Sequence, residues 1–198
     1  MNLDSLVAKL ETNRFVAKVF ENSEECLNYL KDKVYGKVSV GGSVTLFETG
    51  IIKWLEEADN IEYIDRYANG DTTEILREAQ MSNCYITSSN AVTMDGMLYN
   101  VDARGNRVAA LTFGPEKVFV VVGTNKIVNT LEEAIDRVEK IAAPKNSVRL
   151  KRNNPCALTN QCHKCNSDGT ICSTFAVTRR SQFLHRIEVL IIKEELGY

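Results

Sequence analysis

Leu3, Leu6, Val7 and Leu10 recur at helical spacing, so the chain opens on an amphipathic helix. Phe15 to Phe20 alternates like a strand, and Ser23 is placed to cap a second helix carrying Cys26, Leu27 and Leu30. Lys37 to Val40 is a short β-rich run with Gly41-Gly42-Ser43 directly behind it. A helix is expected from near Thr45 through Ile51, Ile52 and Leu55. Glu62 to Ile64 predicts a strand, Thr73 to Ala79 a helix, and Cys84 to Thr87 a strand that empties into Ser88-Ser89-Asn90. Three further strands are expected at Met97 to Val101, Arg107 to Thr112 and Lys117 to Val122. The last is a continuous apolar run, the pattern of a strand buried on both faces. Thr130 and Glu133 match a capping box. The helix behind it directs Leu131, Ala134, Ile135, Val138 and Ile141 inward until Pro144 ends it, and Ile187 to Ile192 predicts a final strand.

Strands alternating with helices imply an α/β fold, a mostly parallel sheet with helices on both faces. The close succession of strands between Met97 and Val122 adds an antiparallel or mixed portion. Lys151 to Phe175 has little apolar periodicity and reads as a small cysteine-rich lobe. The expectation is therefore one domain over residues 1–198, with 151–175 as an insertion. With 198 residues, 44% hydrophobic and 25% charged, the composition is that of an ordinary globular chain. A net charge of -2 gives no general attraction to nucleic acid or anionic membrane. The basic residues Lys145, Arg149, Lys151, Arg152, Arg179 and Arg180 read as a solvated face. Met1 to Asn13 lacks the apolar core of a secretory signal, and no apolar run approaches the ~20 residues that span a bilayer. These features lead to the expectation of a cytoplasmic protein, in which Cys26 and Cys84 would be buried free thiols.

The densest chemistry is Cys156, Cys162, Cys165 and Cys172, spaced C-x5-C-x2-C-x6-C. Four thiolates so close in sequence can converge on one ion, with Cys162 and Cys165 as a half-site. Pro155 stiffens the approach, and Asn166 to Gly169 supplies a turn. Zinc is the first reading and a [4Fe–4S] cluster the second. Two disulfides or scattered thiols are the bland alternatives. His163 lies between two of the cysteines and reads as pointing to solvent.

Three polar loops fall at predicted strand ends, where open α/β sheets bind ligands. Gly41, Gly42, Ser43 and Thr45 precede a helix N-terminus, a setting that suits an anion or merely a tight turn. Ser88, Asn90, Thr93, Asp95 and Gly96, with Asn100 and Asp102 beyond, read as a hydrogen-bonding pocket or as turn scaffolding. Gly123, Asn125 and Lys126 form the third loop, in which Lys126 either pairs with a carboxylate or phosphate or stands exposed.

Together these loops resemble the LUD-domain, or lactate-utilisation, family. The run SSNAVTMDGMLYNVDARGNRVAALTFGPEKVFVVVGTNKIV, Ser88 to Val128, is similar to that family's signature. So are SVGGSVTLFETG, Ser39 to Gly50, and the closing RIEVLIIKEELGY. The resemblance implies an open Rossmann-like sheet, similar to ribose-5-phosphate isomerase, glucosamine-6-phosphate deaminase and the CoA transferases. It further implies a part in oxidation of L-lactate to pyruvate, beside iron–sulfur redox subunits. The matching ligand-loop positions are Gly41, Gly42, Ser43, Thr45, Ser88, Asn90, Thr93, Asp95, Gly96, Asn100, Asp102, Gly123, Asn125 and Lys126. The cysteine run departs from the ferredoxin-like pattern of larger iron–sulfur members.

The first functional expectation is a component of organic-acid metabolism that binds a small anionic metabolite, with Asp95, Glu48 or Lys126 as acid–base candidates. The alternatives are a non-catalytic scaffold or electron-relay subunit, and a metabolite sensor. Self-association into a homo-oligomer is compatible with either. The two histidines, His163 and His185, lie outside the expected pocket.

Overall fold

The computed structural model describes residues 2–67 and 72–198. Its first layer is a six-stranded, all-parallel sheet built from β1 (Val16–Phe20), β2 (Lys37–Val40), β3 (Glu62–Tyr63), β4 (Cys84–Thr87), β7 (Lys117–Gly123) and β10 (Ile187–Ile192). The strand order is β1-β10-β7-β4-β2-β3. Period-two alternation divides the central strands between two cores. Val118, Val120, Val122, Ile187, Val189 and Ile191 face α1 (Leu3–Thr12) and its neighbours, while Phe119, Val121, Leu190 and Ile192 face α2 (Ser23–Lys33), α3 (Val44–Glu48) and α4 (Ile51–Glu57). Glu188 breaks that alternation inside the sheet. It is buried but ion-paired to Lys117 at 2.7 Å and accepts a hydrogen bond from the Tyr29 hydroxyl at 2.8 Å. The parallel sheet flanked by helices is the one the alternation implied, and its Rossmann-like architecture is the one the resemblance implied.

A second, four-stranded sheet leaves the strand ends of the first. It runs β8 (Ile127–Val128), β5 (Ala91–Thr93), β6 (Leu98–Asp102), β9 (Thr174–Thr178), with β6 antiparallel to both neighbours. This is the mixed portion expected near Met97. The short strands β5, β8 and β9 were not expected, because their runs are too short or too polar to show a period.

Several local expectations are corrected. Arg107 to Thr112 is not a strand but the helix α6 (Asn106–Thr112). Arg107, Ala110 and Leu111 are its buried positions, a helical spacing that the apolar content of the run disguised. The helix expected through Thr45 to Leu55 is two, divided at Thr49 and Gly50, where Gly50 has φ of 72°. Asn22, not Ser23, caps α2 by accepting from the Glu25 N–H, and the Ser23 hydroxyl instead donates to Glu194 at 2.6 Å.

Pro144 does not end its helix. The run α7 (Leu131–Arg137) passes through a π-helical turn, Val138–Ala142, into α8 (Ala143–Arg149). The Ala143 N–H reaches back five residues to the Val138 carbonyl. That wider turn absorbs the proline, which lacks an N–H and would clash in a regular helix. Leu131, Ala134 and Val138 pack on the small sheet as expected, whereas Ile135 and Ile141 are 36% and 40% exposed. Thr130 caps α7 by accepting from the Glu133 N–H at 3.2 Å, and the Glu133 carboxylate answers at the Asn129 N–H at 2.8 Å.

Candidate functional site

Strands β2, β4 and β7 are adjacent and parallel, so their C-terminal ends bring the three polar loops to one edge of the sheet. A cavity of about 200 Å³ opens there. Gly42, Ser43, Ser88, Asn90, Asp102 and Lys126 line it, as the sequence led one to look for. The π turn, α8 and the cysteine lobe add Ala142, Asn146, Arg149, Leu150, Arg152 and Ile171 to the lining, with Tyr198.

The charge around this cavity is one-sided. Arg66, Arg104, Arg107, Arg149, Arg152 and Lys126 line it, against one carboxylate among the described residues, Asp102. That carboxylate is already neutralised. Its Oδ1 is 2.6 Å from Arg107, and its Oδ2 accepts the Val108 N–H at 2.9 Å. Arg107 is a scaffold as well as a charge. It donates to the Ser88 carbonyl at 3.0 Å, the Asn90 side chain at 2.8 Å and the Val101 carbonyl at 3.1 Å, and it also bonds the Asn100 side-chain oxygen. Arg137 reinforces the same loops by donating to the carbonyls of Asn90 at 2.7 Å and Asn125 at 3.0 Å.

Lys126 stands on a 3-10 turn, Thr124–Lys126, directly after β7. It is only 3% exposed. Its Nζ donates to Thr45 Oγ1 at 2.7 Å and Ser88 Oγ at 3.0 Å, so the ends of all three loops meet on one amine. Burial pulls its pKa down from 10.5 to about 7; the nearby Arg137 and Arg107 push the same way, and Glu48 opposes them weakly. This is the reverse of an exposed loop lysine.

The remaining expected residues serve the walls. Gly41 is buried, and a Cβ there would collide with Thr87 and Arg107, so its missing side chain admits a neighbour rather than a ligand. A Cβ on Gly123 would come within 2.6 Å of the Glu194 carbonyl. Asn125 holds the closing segment, accepting the Leu196 N–H at 3.1 Å and donating to the Gly197 carbonyl at 3.2 Å. Thr45 buttresses Lys126, and Asn100 bonds Arg107 behind the cavity. Thr93, Asp95 and Gly96 are not among the lining residues. They form the β5–β6 turn, where the Asn13 side chain donates to the carbonyls of Asp95 at 2.9 Å and Gly96 at 3.0 Å. Glu48 also lies off the cavity, accepting the Gly197 N–H at 2.6 Å. Of the three acid–base candidates, Lys126 alone faces the space.

None of the five lining arginines is legible in the sequence as a site residue. Arg149 and Arg152 are exposed, as on a solvated face, yet Arg149 at the end of α8 and Arg152 just after it reach the cavity, and Arg107 reaches it from α6. Arg66 and Arg104 sit in polar loops with no local signal.

A profile of the LUD domain matches residues 3–192. The chain belongs to the LUD domain family. Among solved structures, a crystal structure of a DUF162 family protein from Deinococcus radiodurans is similar, with a TM-score of 0.54 at 14% identity over 96% of this chain and 95% of that one. At that identity the likeness concerns the fold. Nothing among curated proteins matches the chain.

The cysteine lobe of this LUD domain borders the cavity through Arg152 and Ile171. Cys156 lies in α9 (Pro155–Thr159), buried, with its sulfur 3.4 Å from Ser147 Oγ. Cys162, Cys165 and Cys172 are half-buried, and all four are free thiols. Burial raises the Cys172 pKa to about 11, with further upward pushes from Cys156, Cys162 and Cys165. The Cys165 pKa is instead lowered, chiefly by hydrogen bonding to Ser167. Among the described residues no three Cys, His, Asp or Glu side chains stand close enough to hold a metal ion. His163 hydrogen-bonds Thr159 at 2.8 Å and is exposed, as expected. Cys26 and Cys84 are buried free thiols. Among the described residues, no helix is long and apolar enough to cross a membrane.

Proposed function

We propose that this LUD-domain chain is a cytoplasmic component of lactate or related organic-acid metabolism that binds a small anionic metabolite in the strand-end cavity. The observation that carries the reading is that Lys126, Arg149 and Arg152 line the cavity while the Asp102 carboxylate, the one among the described lining residues, is taken up by Arg107. A concave, low-dielectric site lined this way attracts and retains anions. Arg152 supplies paired N–H donors for a carboxylate or phosphate, and Arg149 adds those it does not give to Asn146 and Tyr198. Lys126 and Ser88 supply donors at the inner end. At about 200 Å³ the cavity suits a ligand of a few heavy atoms better than a whole nucleotide or coenzyme. Pyruvate, L-lactate and short sugar phosphates fit that description, whereas a CoA ester would place only its acyl end inside.

Thermal-shift titration with those anions tests the reading. A ligand at one hundred times its Kd stabilises the protein by about 2.7 kcal/mol. The shift should shrink in Arg152→Ala, an exposed residue whose loss leaves the fold alone. No shift with any of these anions would refute the assignment.

A second reading concerns the lobe. We infer that Cys156, Cys162, Cys165 and Cys172 bind a metal, zinc before a [4Fe–4S] cluster, through a rearrangement that draws their sulfurs together. The spacing of the run and the influence of the other three thiols on Cys172 support this. A bound cluster would suit an electron-relay role beside iron–sulfur subunits. Metal analysis of anaerobically purified protein decides it: zinc or iron at one site per chain supports the reading, and metal-free protein with four titratable thiols in the lobe ends it.

A further inference from the structure

Lys126 has two hydrogen-bond partners, both hydroxyls, and makes no ion pair among the described residues. A buried ammonium without a carboxylate is costly, because its charge is desolvated and unbalanced. The charged groups around it reinforce this. Arg107 of α6 and Arg137 of α7 repel it, and Glu48 of α3, engaged at the Gly197 N–H, is a weak counterweight. Burial and these neighbours leave the amine substantially unprotonated near neutral pH. A neutral amine whose N–H groups are occupied by Thr45 and Ser88 keeps its lone pair for chemistry. Lys126 lines the same cavity as Arg149 and Arg152, which would hold an anionic group. A nucleophilic amine and a carboxylate-binding wall in one small space define a substrate that carries both a carbonyl and an anion.

We propose that Lys126 is a nucleophile that forms an imine with the carbonyl carbon of a 2-oxo acid bound in the cavity. This rests on the anion-binding reading and goes beyond it by naming the reacting atom and the substrate class. The amine nitrogen adds to the carbonyl carbon as the C=O π pair moves to oxygen, and proton transfer yields a carbinolamine. The nitrogen lone pair then forms C=N while the hydroxyl leaves, so that the two protons first held by nitrogen depart in one water. No electron is gained or lost, and no further reactant is required. Thr45 and Ser88, both within hydrogen-bond reach of Nζ, hold the amine and can relay those protons. L-lactate, which has no carbonyl, would occupy the cavity without bonding to Lys126.

Reductive trapping tests this on the full chain. The protein is incubated with pyruvate and sodium cyanoborohydride near pH 7, then digested and mapped by mass spectrometry. The expected result is a reduced pyruvyl adduct concentrated on the Lys126 peptide and absent with L-lactate. About half of an amine with a pKa near 7 is free at that pH, against roughly one in a thousand or fewer for an ordinary lysine. Adducts spread over exposed lysines such as Lys145 and Lys151 would overturn the proposal. So would a trapping rate that rises only near pH 10. A thermal shift with pyruvate but no adduct would overturn the imine and leave the anion-binding reading standing; neither shift nor adduct would remove both. Lys126→Arg should bind pyruvate and form no adduct at position 126, and because the mapping uses the unaltered chain, its outcome does not depend on that variant folding.

Discussion

The strand-end cavity and the cysteine lobe are neighbours built on opposite principles. The cavity gathers residues from segments scattered between Gly42 and Tyr198, and buried groups hold several of them in place. Arg107 alone bonds Ser88, Asn90, Asn100, Val101 and Asp102. The lobe gathers its cysteines within one short stretch, yet three of the four are only half-buried and their hydrogen bonds are local. Density in sequence is therefore no measure of preorganisation. A site is rigid when its second layer belongs to the core, and the first sheet supplies that layer to the cavity only.

Substitutions can break or sharpen this contrast. The largest effect is expected of Arg107→Ala, which leaves the buried Asp102 carboxylate unpaired and several loop carbonyls without donors. It should cost about 3–5 kcal/mol in urea unfolding. A loss under 1 kcal/mol would show the cavity to be no better fastened than the lobe.

The buried amine comes next. Its native pKa lies near 7 and its unfolded pKa near 10.5, so across that window the unfolded state binds more protons. Stability then rises with pH from about 7 towards 10, by on the order of a few kcal/mol in all. Below pH 7 both states are protonated and the penalty is constant. Lys126→Met should flatten this component of the pH profile measured by denaturant titration, whereas an unchanged profile would mean that the amine is not desolvated as described.

A smaller effect is expected at the cavity mouth. Arg152→Ala should weaken binding of the stabilising anion about tenfold, the loss of one charge-assisted contact, while changing the stability of the free protein by less than about 0.5 kcal/mol. The smallest is Cys162→Ser in metal-free protein, also within about 0.5 kcal/mol, since that sulfur accepts one local N–H. A chelator that lowers the Tm of freshly purified protein would reverse the contrast, making the lobe a metal-fastened element.

Much of the first sheet was readable along the chain. The apolar runs Lys117 to Val122 and Ile187 to Ile192 sit in its centre, and the helices around Leu6, Leu10 and Leu30 bury the faces their periodicity indicated. The misreadings share a cause. At Arg107 to Thr112 the buried positions follow a helical period, but Val108 and Leu111 lend the run a strand-like appearance. At Pro144 a π turn, invisible to propensity, carries the helix onward and swings Arg149 to the cavity. The loops were found by their glycines and hydroxyls, although several of those residues proved to brace the walls.

The order of side chains alone determined which segments become strands and helices, which face of each is buried, and which polar loops follow the strand ends, because short-range periodicity and steric rules govern these. Tertiary structure alone decided the character of the site. Lys126 loses its water only when Thr45, Ser88 and Gly197 close over it, and exposed arginines gather at one cavity only when α8 and the loops of the first sheet are folded against one another. Desolvation and convergence of charge arise between segments distant in sequence, so no local pattern can encode them.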